Sequence, residues 1–168
     1  MLELDAEAVY RQLAQRAREH YANTPLHLVG VHTGGVWLAE RLRRDLHIDA
    51  PVGILDVSFY RDDFDQSGLK AAVRPSQIAF DVAGSHILLV DDVLNTGRTV
   101  RAAMNELFDY GRPAKIDLAV LIDRGGRDLP VAATLVGATI ELPPAVSVVL
   151  TRDDDDRLHL TMETRSDD

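Results

Sequence analysis

The sequence predicts an α/β fold with a central, mainly parallel sheet flanked by helices. Two observations carry that expectation. Short apolar runs rich in branched residues, LHLVGV (26–31), HILLV (86–90) and IDLAVLI (116–122), have the length and composition of strands buried on both faces. Segments of helical pattern alternate with them, and strands alternating with helices build a parallel sheet with helices on its faces.

The elements follow in order. Asp5 has the character of an N-cap, and Val9, Leu13 and Ala17 follow at four-residue spacing, which predicts an amphipathic helix. LHLVGV is the first strand, and Thr33-Gly34-Gly35 turns the chain into a helix over 36–44. VGILDVSFY (52–60) reads as the next strand. HILLV follows, then a polar loop and a helix over about 99–110 that Gly111 and Pro113 end. After IDLAVLI, the runs 145–150 and 158–162 flank the acidic turn Asp153–Asp156 and read as a terminal hairpin. The polar stretch from Arg61 to Ala79 is too long for an ordinary connection and reads as a flexible lid.

Composition narrows the function classes. The chain has 168 residues, enough for a single domain with a substantial core. It has no cysteine, which excludes a disulfide framework and a Cys-based zinc site. The first residues lack an apolar run of signal-peptide type, and no stretch approaches the roughly 18 apolar residues of a membrane span, so a cytoplasmic protein without membrane contact is expected. A formal net charge of −9 argues against general nucleic-acid affinity. The one basic zone is on the first two helices, where Arg11, Arg16, Arg18, Arg41, Arg43 and Arg44 face only Glu19 and Glu40 in the sequence count.

The chemistry concentrates in ILLVDDVLNTGRT (87–99). Two carboxylates, Asp91 and Asp92, stand where a buried strand ends, and ligands of open parallel sheets bind beyond that end. Carboxylates side by side accept the hydroxyls of a diol such as ribose, and also suit Mg²⁺, which uses few protein oxygens. Val93 and Leu94 lead into Asn95, Thr96, Gly97, Arg98 and Thr99, a glycine-containing loop before a helix N-terminus, the arrangement that cradles a phosphate. A diol clamp a few residues from a phosphate cradle describes a site for ribose 5-phosphate. Receiver domains of response regulators also place paired acids after a strand, but near the N-terminus and without a T-G-R-T loop.

This run is similar to the phosphoribosyl-diphosphate (PRPP) binding motif of type I phosphoribosyltransferases. With VGVHTGGVWLAERL, VGILDVSFYRDDF, LVDDVLNTGRTVRAAMNEL, GRPAKIDLAVLIDRGGRDLP and LVG, the chain resembles the PyrR family in order and spacing from about 29 to 137. The resemblance implies the type I phosphoribosyltransferase fold, with a small hood and the C-terminal hairpin. It implies uracil phosphoribosyltransferase activity, forming UMP and diphosphate from uracil and PRPP with Mg²⁺, together with control of pyrimidine-biosynthesis genes through leader RNA. A nucleotide-sensing regulator with little turnover, or an enzyme for another base, are the alternatives.

Carried over by position, Asp91 and Asp92 would bind the ribose hydroxyls and Mg²⁺, and Asn95 to Thr99 the 5′-phosphate. Thr33, Gly34 and Gly35 would contact the diphosphate, which Arg61 would reach from the lid. Asp123, Arg124 and Gly125 would lie beside the base. A homodimer or larger assembly is implied as well. Three positions depart from the family pattern: Gly34 replaces an arginine, Gly126 a histidine, and Leu135 an aromatic residue expected against the base. Glu141 stands where the family carries basic residues, which leaves RNA binding weakly supported.

Overall fold

The structure is a computed structural model that describes residues 4–57 and 76–165. Arg61 and most of the segment 61–79 lie outside the described residues, as do the last residues of the predicted 52–60 strand.

Helix α1 (Ala6–His20) starts where expected: Asp5 caps it, its carboxylate accepting the Ala8 N–H at 3.1 Å. Val9, Leu13 and Ala17 are all buried. Strand β1 (His27–Val31) leads into α2 (Gly34–Asp45), which begins two residues before the predicted start. Strand β2 (Gly53–Leu55) is short, and Ile54 exchanges two 2.8 Å backbone hydrogen bonds with Gln77. Strand β3 (His86–Leu94) runs past the predicted apolar stretch and carries Asp91 and Asp92 within it. Helix α3 (Arg98–Asp109) and strand β4 (Lys115–Asp123) follow.

Strand β5 (Leu135–Thr139), which the sequence pattern did not reveal, pairs with β4 and closes one edge. The five strands are all parallel, in the order β2-β1-β3-β4-β5. The terminal hairpin is present as β6 (Val146–Arg152) and β7 (Leu158–Thr164), an antiparallel pair forming its own sheet.

Alternate strand residues face two cores, as a sheet with period-two side chains requires. Leu28, Leu88, Val90, Ala119 and Leu121 pack against α1, α2 and the hairpin residues Leu150 and Leu158. Val29, Val31, Ile87, Leu89, Leu118 and Val120 pack against α3 through Val100, Ala103 and Leu107. The result is helix, sheet, helix, with α1 and α2 on one face and α3 on the other.

The hairpin is fixed to the first layer by a charged bracket. Arg41 of α2 pairs with Glu7 of α1 through two hydrogen bonds of 2.7 and 3.0 Å and also donates to the Asp156 carbonyl. Glu7 in turn accepts the Leu158 N–H at 2.7 Å. Arg152 stacks its guanidinium on Trp37, 4.9 Å from the ring centroid. Among the described residues no helix is long and apolar enough to cross a membrane.

Candidate active site

The carboxyl ends of β1 and β3 face the same side, and the helix that follows each begins there. Both helices start without a side-chain cap. Thr33 precedes α2 and makes no capping hydrogen bond, and Gly97 precedes α3 and has no side chain to offer. First-turn amides of a helix have no intrahelical acceptor and carry the positive end of its dipole. Two such ends beside the C-terminus of β3 form an electropositive rim that suits anions.

A cavity of about 300 Å³ opens between these ends. Thr33, Gly34, Asp91, Asp92, Val93, Asn95 and Thr99 line one side of it. A smaller depression of about 20 Å³ continues from it, bounded by Asp91, Asn95, Gly97 and Thr99 among others. The sequence motif is thus one surface: the paired acids at the centre, the 95–99 loop around the smaller hollow.

The acids are anchored by their own backbone. Asp91, 3% exposed, accepts the Asp92 N–H at 2.8 Å, and Asp92 accepts the Val93 N–H at 2.8 Å. The loop beyond them takes its shape from Gly97, whose φ of +92° is open to glycine at little cost. Thr96 Oγ1 accepts the Arg98 N–H at 3.2 Å, and the Thr96 carbonyl accepts the Asp128 and Leu129 N–H groups at 2.9 and 3.1 Å. Arg98 points outward and pairs with Asp128 at 3.3 Å, with both side chains exposed. Leu94 is buried in the core, and its carbonyl accepts the Arg124 N–H at 3.1 Å. Gly35 backs onto Val90 and leaves the lining to Gly34.

The residues expected beside the base divide. Arg124 lines the cavity, and its guanidinium donates to the carbonyls of Pro143 and Val146, which ties the end of β4 to the hairpin. Burial, and the charge of Arg165 nearby, push the Arg124 guanidinium below its ordinary pKa. The Asp123 carboxylate instead faces its own loop, accepting the Gly125 N–H at 3.0 Å and pairing with Arg127 at 2.7 Å. Burial raises the Asp123 pKa, but the bonds from Arg127 and Gly125 outweigh it and hold the carboxyl below the usual range. Gly125 adopts φ +70° in that turn.

Two expectations about departures change. Leu135 does not stand at the base: it is 7% exposed at the start of β5, opposite Ala119, and packs in the core far from the carboxyl ends. Gly126 is not a simple loss of histidine. It has φ +74°, and a Cβ there would lie 2.8 Å from Asn95 Oδ1. The glycine and the Asn95 amide occupy each other's space.

The rest of the lining was missed by sequence reasoning: Trp37 on α2, and Ser147, Val148, Val149, Leu150 and Arg165 of the hairpin and the residue after it. A terminal valine-rich strand carries no local sign that it closes a site. Arg165 donates to Ser147 Oγ at 3.1 Å.

The chain matches the phosphoribosyl transferase domain over residues 3–154. The bifunctional protein PyrR of Nitrosococcus oceani is 51% identical over 157 residues, covering 90% of this chain and 88% of that one. That of Pseudomonas aeruginosa is 52% identical over 134 residues, covering 78% and 79%. Among solved structures, a glutamic acid mutant from an analysis of an invariant aspartic acid in HPRTs has a TM-score of 0.65 at 26% identity, over 86% of this chain and 83% of that one. A hypoxanthine-guanine phosphoribosyltransferase from Bacillus anthracis, at 18% identity, shares the fold with a TM-score of 0.66 over 87% and 86% of the two chains. By the span of the domain match and by identity with relatives over most of its length, the chain belongs to the phosphoribosyltransferase family and, within it, to the bifunctional PyrR proteins.

Proposed function

We propose that the protein is a Mg²⁺-dependent uracil phosphoribosyltransferase, converting uracil and PRPP into UMP and diphosphate, that also regulates pyrimidine-biosynthesis gene expression. The observation that carries the first half is the convergence of Asp91 and Asp92 with two helix N-termini, whose cap residues Thr33 and Gly97 make no side-chain capping bond, on one cavity. PRPP needs those parts: hydroxyl acceptors in the middle and an anion site on either side. The choice of uracil and the regulatory role rest on the PyrR relatives.

In this reading the 5′-phosphate sits at the N-terminus of α3, against the amides of the 95–99 loop. The ribose hydroxyls donate to Asp91 and Asp92. The diphosphate lies along Thr33-Gly34-Gly35 at the N-terminus of α2, with Arg61 reaching it from the 61–79 segment. The base lies toward Arg124, between β4 and the hairpin wall. Diphosphate departure from the sugar C1 leaves positive charge on the ring, which the anionic Asp91–Asp92 pair stabilises, and negative charge on the leaving group, which the α2 amides stabilise.

Among the described residues no group of three or more His, Cys, Asp or Glu could hold a metal ion. Two carboxylates lining the cavity fit Mg²⁺, an ion that retains waters and shares substrate oxygens instead of filling a protein cage. Asp91 and Asp92 would hold it, and its charge would help neutralise the diphosphate as it leaves.

A leader-RNA partner would meet few cations. Arg16 donates to the Val136 carbonyl, Arg41 pairs with Glu7, and Arg43 donates to the Asp49 and Ala50 carbonyls. Arg11, Arg18 and Arg44 stay exposed on the first two helices.

Incubation with uracil, PRPP and Mg²⁺ is expected to yield UMP. Turnover with hypoxanthine or orotate but not uracil would move the base assignment. UMP binding without turnover would favour a nucleotide-sensing regulator. A salt-dependent affinity for pyrimidine-operon leader RNA is the matching result for the regulatory half.

A further inference from the structure

The 95–99 loop is braced from the β4 side by one guanidinium. Arg127 lies four residues past the end of β4, with its side chain 24% exposed. It donates in three directions: to Asp123 Oδ2 at 2.7 Å, to the Asn95 carbonyl at 2.9 Å and to the Val131 carbonyl at 2.8 Å. Asn95 opens the loop that ends at the N-terminus of α3. The next two residues after Arg127, Asp128 and Leu129, donate their N–H groups to the Thr96 carbonyl. Both loop carbonyls that precede Gly97 are therefore held by the 127–129 segment.

We propose that Arg127 is a positioning residue that sets the 95–99 loop to receive a 5′-phosphate, and that Asp123 acts through Arg127 and not on the base. The inference rests on the reading of that loop as the phosphate cradle. Asp123, held anionic by Arg127 and the Gly125 N–H, is the counter-charge that fixes the guanidinium plane. With that plane fixed, the fork reaches Asn95 and Val131 at once. A lysine could serve only one of these partners at a time, because an ammonium lacks the planar fork. Asp91 and Asp92 stand on β3, and the three Arg127 bonds go to Asp123, Asn95 and Val131, so sugar recognition should survive its loss.

The test separates the phosphate from the rest of the ligand. Affinities of UMP and uridine, and in parallel GMP and guanosine, are measured by calorimetry for wild type, Arg127→Gln, Arg127→Lys and Asp123→Asn, with thermal unfolding to confirm folding. Wild type is expected to prefer the nucleotide. Arg127→Gln should lose about tenfold in nucleotide affinity, the worth of one charged hydrogen bond, while nucleoside affinity stays. Arg127→Lys should fall between, and Asp123→Asn should shift the same ratio. KM for PRPP should rise by a similar factor with a smaller change in kcat.

An unchanged nucleotide-to-nucleoside ratio in Arg127→Gln or Arg127→Lys overturns the proposal. So does an equal loss of both ligands, or an Asp123→Asn variant that loses nucleoside affinity alone. A wild type with no preference for UMP and GMP over their nucleosides overturns the phosphate-cradle reading, and the role of Arg127 with it. A preference seen only with GMP leaves Arg127 in place and moves the base assignment.

Discussion

Gly34 lies against the Asp92 carboxylate so closely that a Cβ at position 34 would stand 2.4 Å from Asp92 Oδ2. The loop at the start of α2 and the acid at the end of β3 share one space. The arginine that the family pattern led one to expect at this position therefore cannot be added here as a simple gain of charge.

Gly34→Ala is the smallest probe of that contact. The nearest atom it meets is the far end of a side chain, but Asp92 Cβ and Cγ would also stand 3.0 Å away, so the carboxylate must turn and its stem must give by a few tenths of an ångström, while the fold should stay intact. The displaced carboxylate should then bind the sugar less well. We expect KM for PRPP to rise about threefold to tenfold, as small misplacements of a binding group do, with little change in Tm. Steady-state kinetics with PRPP varied checks it.

A second carboxylate is engaged at the other end of the sheet. Asp117, 6% exposed, accepts from the Tyr21 hydroxyl at 2.7 Å and pairs with His86 at 2.8 Å and Lys115 at 3.7 Å. Burial pushes its pKa up, but these donors and the lysine charge outweigh burial and hold it below the ordinary range. A carboxyl depressed in the folded state contributes stability that is present above the unfolded value of about 3.9 and is lost as pH falls through the lower folded value. Tm should therefore drop on acidification below about pH 4. Tyr21→Phe should destabilise by about 1 kcal/mol near neutral pH and flatten that acid limb. Thermal scans from neutral to acid pH read both effects.

Legibility from sequence followed the physics of each element. Strands β1, β3 and β4 stood out because both their faces are buried, which favours near-continuous apolar runs, with Asp117 the buried exception within the β4 run. Strand β5 did not, because at the sheet edge its residues are buried only in alternation, so no continuous apolar run is forced. The motif 87–99 was readable because its parts are consecutive in the chain. The hairpin wall and Arg127 were not, because their roles arise only when residues about thirty positions apart meet, as Arg127 meets the Asn95 carbonyl. Leu135 misled for the same reason: position in a motif says nothing about which end of a strand it occupies.

Glu7 joins three elements through Arg41 and the Leu158 N–H. The Arg41 bonds lower its pKa, burial opposes them, and the Leu158 N–H lowers it further, with the net effect downward. Glu7→Gln keeps the shape and removes the charge. Two charge-assisted bonds weaken together, and a loss of about 2 kcal/mol is expected from their usual worth. Hydrogen exchange should show the hairpin amides opening more readily than the sheet amides, since the bracket holds β6 and β7 to the helices. Equal loosening of both would place the effect in the core.

Gly35→Ala should behave unlike its neighbour. A Cβ at position 35 would stand 2.4 Å from the Val90 carbonyl oxygen and 3.1 Å from the Asp91 Cα. These are backbone atoms of the central strand, hydrogen-bonded into the sheet on both sides, and they cannot turn away as the Asp92 carboxylate can. The start of α2 must lift off β3 instead. That costs packing, about 1–3 kcal/mol for an inserted methyl in a close-packed site, and it draws the Thr33–Gly34 loop away from the paired acids. Tm and PRPP affinity should fall together in Gly35→Ala, whereas Gly34→Ala should lower only the affinity. Parallel unfolding and kinetic measurements on the two variants decide whether the helix seat and the carboxylate contact are separate, and identical behaviour in both would show that they are one.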